Sequence, residues 1–105
     1  MSRPSASTAL AVLRAEDFEP LIGERFALQL DDRSVELRLE LAEPFGSARP
    51  DLDRPPFALV FAAPMKGPLP QQTYPLEHAE LGRLELFLVP ISASDGECRY
   101  EAVFS

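Results

Sequence analysis

The stretch "ERFALQLDDRSVELRLELAEP", residues 24 to 44, decides the fold class. Phe26, Leu28 and Leu30 alternate with polar or small residues; after Asp31-Asp32-Arg33, Val35, Leu37, Leu39 and Leu41 alternate with Glu36, Arg38 and Glu40. A period of two belongs to a strand with one dry face and one wet face, not to a helix. The segment therefore predicts a β-hairpin. With Asp32 and Arg33 at its tip, Leu30 faces Val35, Leu28 faces Leu37, Phe26 faces Leu39, and Arg25 faces Glu40 as a charge pair.

Working outward, the same period recurs. "FALVFAA", 57 to 63, is apolar on both faces and short, which predicts a strand covered on both sides. In "TYPLEHAELGRLELFLVP", 73 to 90, Tyr74 and Leu76 precede a turn, and Leu84, Leu86 and Leu88 alternate after it. A loop from His78 to Gly82 puts Glu77 opposite Arg83, Leu76 opposite Leu84 and Tyr74 opposite Leu86. Pro90 ends or bulges that strand, Asp95 and Gly96 make the next turn, and "ECRYEAVF" turns Cys98, Tyr100, Ala102 and Phe104 to one side. Upstream, Pro20 confines any helix to a short piece from about Ala15 or Asp17 to Ile22, ended by Gly23 and placed as a lid on one end of the core.

These elements predict an all-β domain of about six antiparallel strands in a small barrel or sandwich, capped by one short N-terminal helix. Residues 1–8 read as a disordered tail and 9–105 as a single β-domain; 44–56 and 64–72 read as proline-rich connections. A chain of 105 residues can bury one core.

Charge and composition exclude several classes. The formal charge is -7, with 17 acids against 10 bases and Lys66 the only lysine, so the surface repels phosphate backbones and anionic lipid. No nucleic-acid or membrane partner is expected. A single cysteine forms no internal disulfide, and "ALAVL" is too short for a signal-peptide core or a span, so the expected location is the cytoplasm. No cofactor is expected, since no P-loop, dinucleotide fingerprint, G-x-S-x-G or H-E-x-x-H occurs.

The one histidine, His78, stands among Glu77 and Glu80. A carboxylate can orient an imidazole for proton transfer, which makes His78, Glu77 and Tyr74 the candidate cluster around one barrel mouth. Adjacent strand residues point to opposite faces, however, so Glu77 and His78 need not meet, and a turn histidine at the rim is ordinarily structural or solvated. Cys98 as a nucleophile with His78 as base is set against an inward strand position, where cysteine acts as a small apolar residue. Asp31 with Asp32 and Asp51 with Asp53 lack the glycine-centred loop of a calcium site. No catalytic, cofactor-binding or metal residue is assigned. Phe87, Val89, Ala58, Val60 and Ala62 exceed what one core side needs, which points to cover by another subunit or protein, the alternative being a closed barrel or a helix lying over that face.

The blocks "DFEPLIGERF" (17 to 26), "PPFALVF" (55 to 61), "LPQQTYPLEHAELGRLELFLVP" (69 to 90) and "RYEAVF" (99 to 104) resemble a family of small, uncharacterised bacterial proteins known by a domain-of-unknown-function label. The resemblance implies no activity; it implies association with loci encoding phage-tail-collar-like or tail-fibre-like proteins. Together these readings predict a non-enzymatic protein-interaction or structural accessory module of a phage-tail-like assembly. The alternatives are a small-ligand-binding or catalytic barrel using His78, and a self-associating subunit.

Overall fold

The structure, a computed structural model, describes residues 13–45 and 56–104. A four-residue helix α1 (Ala15–Phe18) runs into a 3-10 turn (Glu19–Leu21), followed by β1 (Arg25–Gln29), β2 (Ser34–Pro44), β3 (Phe57–Pro64), β4 (Gln72–His78), β5 (Gly82–Ser94) and β6 (Glu97–Phe104). All neighbours are antiparallel, and the order β1-β2-β3-β6-β5-β4 closes on itself through β1 and β4. The predicted all-β fold is thus a closed six-stranded barrel. The predicted tail, and Asp51 and Asp53 in the 44–56 connection, lie outside the described residues.

Two three-stranded meanders make the wall, and their inward side chains fill the interior, as a barrel this narrow requires. Phe26, Leu28, Leu37, Leu39, Leu59, Phe61, Leu76, Leu84, Leu86, Leu88 and Tyr100 are all buried there. One end is shut by α1: Phe18 packs on Phe57 and Phe104, with ring centroids 5.9 and 5.8 Å away, while Phe57 and Phe104 stack at 4.4 Å. That is the predicted lid. It is shorter than expected because Pro20 allows only a 3-10 turn, and Ile22 has already left it in extended conformation before Gly23 turns left-handed at φ 94°. The opposite end is crossed by 65–71, where the Tyr100 hydroxyl accepts from Leu69 N at 2.9 Å and the Tyr74 hydroxyl donates to Pro70 O at 2.5 Å. Burial raises both tyrosine pKa values, so both hydroxyls keep their protons.

The β4–β5 register is as predicted: Glu77 opposite Arg83, Leu76 opposite Leu84, Tyr74 opposite Leu86. The β1–β2 register differs by two residues. Leu28 faces Val35, Phe26 faces Leu37 and Arg25 faces Arg38, because the connection spans 30–33 and Leu30 N donates to Arg33 O at 2.8 Å. An even slip leaves every side chain on its predicted face but removes the Arg25–Glu40 pair. Arg25 instead lies 3.8 Å from Glu36.

A second correction concerns Leu41. A β-bulge between Leu39 and Leu41 inverts the alternation of β2, so Ala42 points inward and Leu41 outward. The bulge residue, Glu40, bonds Arg38 at 2.7 Å and Arg99 at 2.8 Å, and Glu97 joins both arginines at 3.5 and 3.3 Å. Ala62 stands between Arg38 and Arg99 in the ladder and is fully buried on the outer face, beneath these arginines. Ala62 therefore does not belong to the surplus apolar surface.

Hydrogen bonds from Arg99 first, and Arg38 second, hold the Glu40 carboxyl below the ordinary glutamate range. A depressed folded value contributes stability above the unfolded carboxylate range and loses it as pH falls through the folded value. Glu40→Gln is expected to lower unfolding stability by about 1 kcal/mol at neutral pH, with the difference from wild type vanishing in acid. Denaturant titrations at the two pH values measure it.

Candidate functional site

The barrel closes between β1 and β4 through a ladder of only two residue pairs, Ala27 with Glu77 and Leu28 with Leu76. Continued by register, that ladder sets Phe26 beside His78 and Glu24 beside Glu80. His78 is consequently buried, with its side chain only 2% exposed, rather than solvated at the rim. Its ring lies against Phe26 at 4.6 Å between centroids.

Every polar atom of the ring is engaged. Nδ1 accepts from Glu80 N at 3.1 Å and Leu81 N at 3.2 Å, and Nε2 is 2.7 Å from Glu24 Oε1. Backbone N–H groups only donate, so Nδ1 is the acceptor, and Nε2 carries the proton and donates it to Glu24. The ring thus ties the 79–81 turn to the residue preceding β1. It fastens the barrel where the backbone ladder is shortest.

Of the sequence-derived cluster, the three members do not come together. Tyr74 and His78 point inward with Leu76 between them, whereas Glu77 points out opposite Arg83. The carboxylate that does meet His78, Glu24, lies 54 residues away in sequence. Nothing local could reveal it, because the contact follows from which strands close the barrel. Cys98 is buried at the opposite end, with its Sγ 3.7 Å from Met65 O.

Glu24, His78 and Glu80 each offer a ligand atom, and these atoms lie within 4.8 Å of one another. Metal binding requires a free lone pair on the imidazole. Here the Nδ1 lone pair faces two backbone N–H groups and Nε2 carries its proton. In this arrangement the cluster is a hydrogen-bonded brace, and an ion would have to displace either the turn or Glu24.

A cleft of about 540 Å³ beside β2 is lined by Arg25, Arg33 and Arg38 together with Glu36, Pro64 and Met65. Its arginines are drawn to neighbouring acids: Arg25 to Glu36, Arg33 to Asp32 at 3.6 Å, and Arg38 to Glu40.

The outer wall of β2, β3, β6 and β5 is different in kind. Leu41 neighbours Val60, Val60 neighbours Glu101, and Glu101 neighbours Val89; one step along, Glu43 neighbours Ala58 and Ala58 neighbours Val103. Val103 is 55% and Phe87 50% exposed. Over β2, β3 and β6 runs a groove of about 310 Å³. Sequence alternation identified Ala58, Val60, Val89 and Phe87 in this wall; it missed Leu41, which only the bulge turns outward.

No helix among the described residues is long and apolar enough to cross a membrane. No curated protein and no solved structure is detectably similar to the chain. A family model described as "Domain of unknown function (DUF6916)" matches residues 13–104, from just before the lid helix to the last residue of β6. The chain therefore belongs to the DUF6916 family, whose fold, in this member, is a closed antiparallel barrel with a helical lid.

Proposed function

We propose that this protein is a non-enzymatic interaction module that binds another protein through the outer apolar wall formed by β2, β3, β6 and β5. The observation that supports this reading is the exposure of Leu41, Phe87 and Val103 on a barrel whose interior is already filled. Large apolar side chains left in water are stabilised by being covered. A filled barrel offers no internal ligand chamber around its inward side chains, and His78 spends its ring nitrogens on the turn and on Glu24. The resemblance of the "LPQQTYPLEHAELGRLELFLVP" block to bacterial proteins from phage-tail-like loci supports a structural or accessory role in such an assembly.

The test is co-purification from a bacterium carrying the locus, comparing wild type with Val103→Asp. Recovery of a tail-type structural protein with wild type, and its loss with Val103→Asp at unchanged thermal stability, is the expected result. Equal recovery with both proteins, or none with either, would overturn the reading.

A further inference from the structure

The outer groove has an arrangement of charge that its apolar character alone does not explain. Its floor is Ala58 and Val60, half-buried on the central strand β3, between the more exposed Leu41 on β2 and Val103 on β6. Two carboxylates, Glu43 on β2 and Glu101 on β6, stand at diagonally opposite corners of that floor. Neither has a cationic partner among the described residues, although Glu40 and Glu97, on the same strands, are held by Arg38 and Arg99. Among the described residues, those lining the groove include no lysine or arginine.

From this we infer that the groove receives an amphipathic helix of a partner protein, carrying two basic residues about two turns apart, one at each end of an apolar stripe. The inference rests on the interaction-module reading and adds the chemistry of the partner. The spacing follows from the sheet. Glu43 and Glu101 are separated by two inter-strand steps and one two-residue step along the strands, about 12 Å between Cα atoms. Residues seven apart on a helix are about 10.5 Å apart along its axis and lie on one face. Lys or Arg at those two positions reach the two glutamates while the residues between them cover Val60 and Val103. A second copy of this chain is a poorer occupant, because among the described residues its matching groove brings glutamates and no cation to meet Glu43 and Glu101.

The test uses the full-length protein and two labelled helical peptides of about 14 residues. One carries lysines at positions i and i+7 with leucines at i+3 and i+4; the other replaces both lysines with glutamate. Fluorescence anisotropy is expected to show the lysine peptide binding at least about tenfold more tightly, with the margin shrinking in high salt. Glu43→Lys combined with Glu101→Lys is expected to reverse the preference, circular dichroism confirming an unchanged fold. Equal binding of both peptides, lost in Val103→Asp, would overturn the charge-paired helix and leave the apolar wall as an interaction face. Absence of binding by either peptide would overturn the inference while the co-purification result still decides the broader reading. Light scattering that shows a dimer dissolved by Val103→Asp would instead make a second copy the occupant and sink the inference.

Discussion

Phe26→Ala is expected to lower unfolding stability by about 3–5 kcal/mol, which approaches the whole margin of a domain this size. Phe26 is fully buried, meets Phe61 edge-on at 5.2 Å and supports the His78 ring on its other side. Truncation opens a cavity between β1, β3 and β4, which pack into one another and cannot easily collapse. Chemical denaturation measures the loss. Phe26→Leu, which keeps most of the volume, should fall well short of it, and a similar loss in both variants would mean that the ring's contacts rather than its bulk matter.

His78→Ala is expected to cost about 2–4 kcal/mol, through the lost ring packing and the two backbone donors left without their acceptor. Glu24→Gln keeps an oxygen for the Nε2 proton and should cost less than about 1 kcal/mol. The difference separates a structural brace from a charge relay. Amide exchange at Glu80 and Leu81 should accelerate in His78→Ala and remain slow in Glu24→Gln. Slow exchange in both would mean that the turn holds without the imidazole.

Much of this architecture is legible from residue spacing, and the exceptions have identifiable physical causes. The β4–β5 register is readable because Gly82, at φ 76°, pairs with His78 and allows only one short reversal, which also brings Glu77 to Arg83. The β1–β2 register is not, because Asp31, Asp32, Arg33 and Ser34 suit turns of several lengths, and a slip of two keeps each leucine on its face. Hydrophobic patterning cannot penalise such a slip. Leu41 escapes for another reason: a bulge changes parity, and "LELA" reads equally well with either Leu41 or Ala42 inside. The brace from His78 to Glu24 is the least legible part. It depends on β1 meeting β4, a closure that local alternation never encodes.

The bulge at Glu40 gives the protein a particular evolutionary grammar. Because one added residue in β2 decides whether Leu41 or Ala42 belongs to the outside, the outer wall and the core share a reading frame in that strand. Deleting Glu40 would restore regular pairing with Leu41 still outside, whereas flattening the bulge with Glu40 retained would turn Leu41 into the core and Ala42 onto the wall. Which face each β2 side chain takes beyond Glu40 is therefore set by whether the extra residue is held in a bulge as well as by residue type.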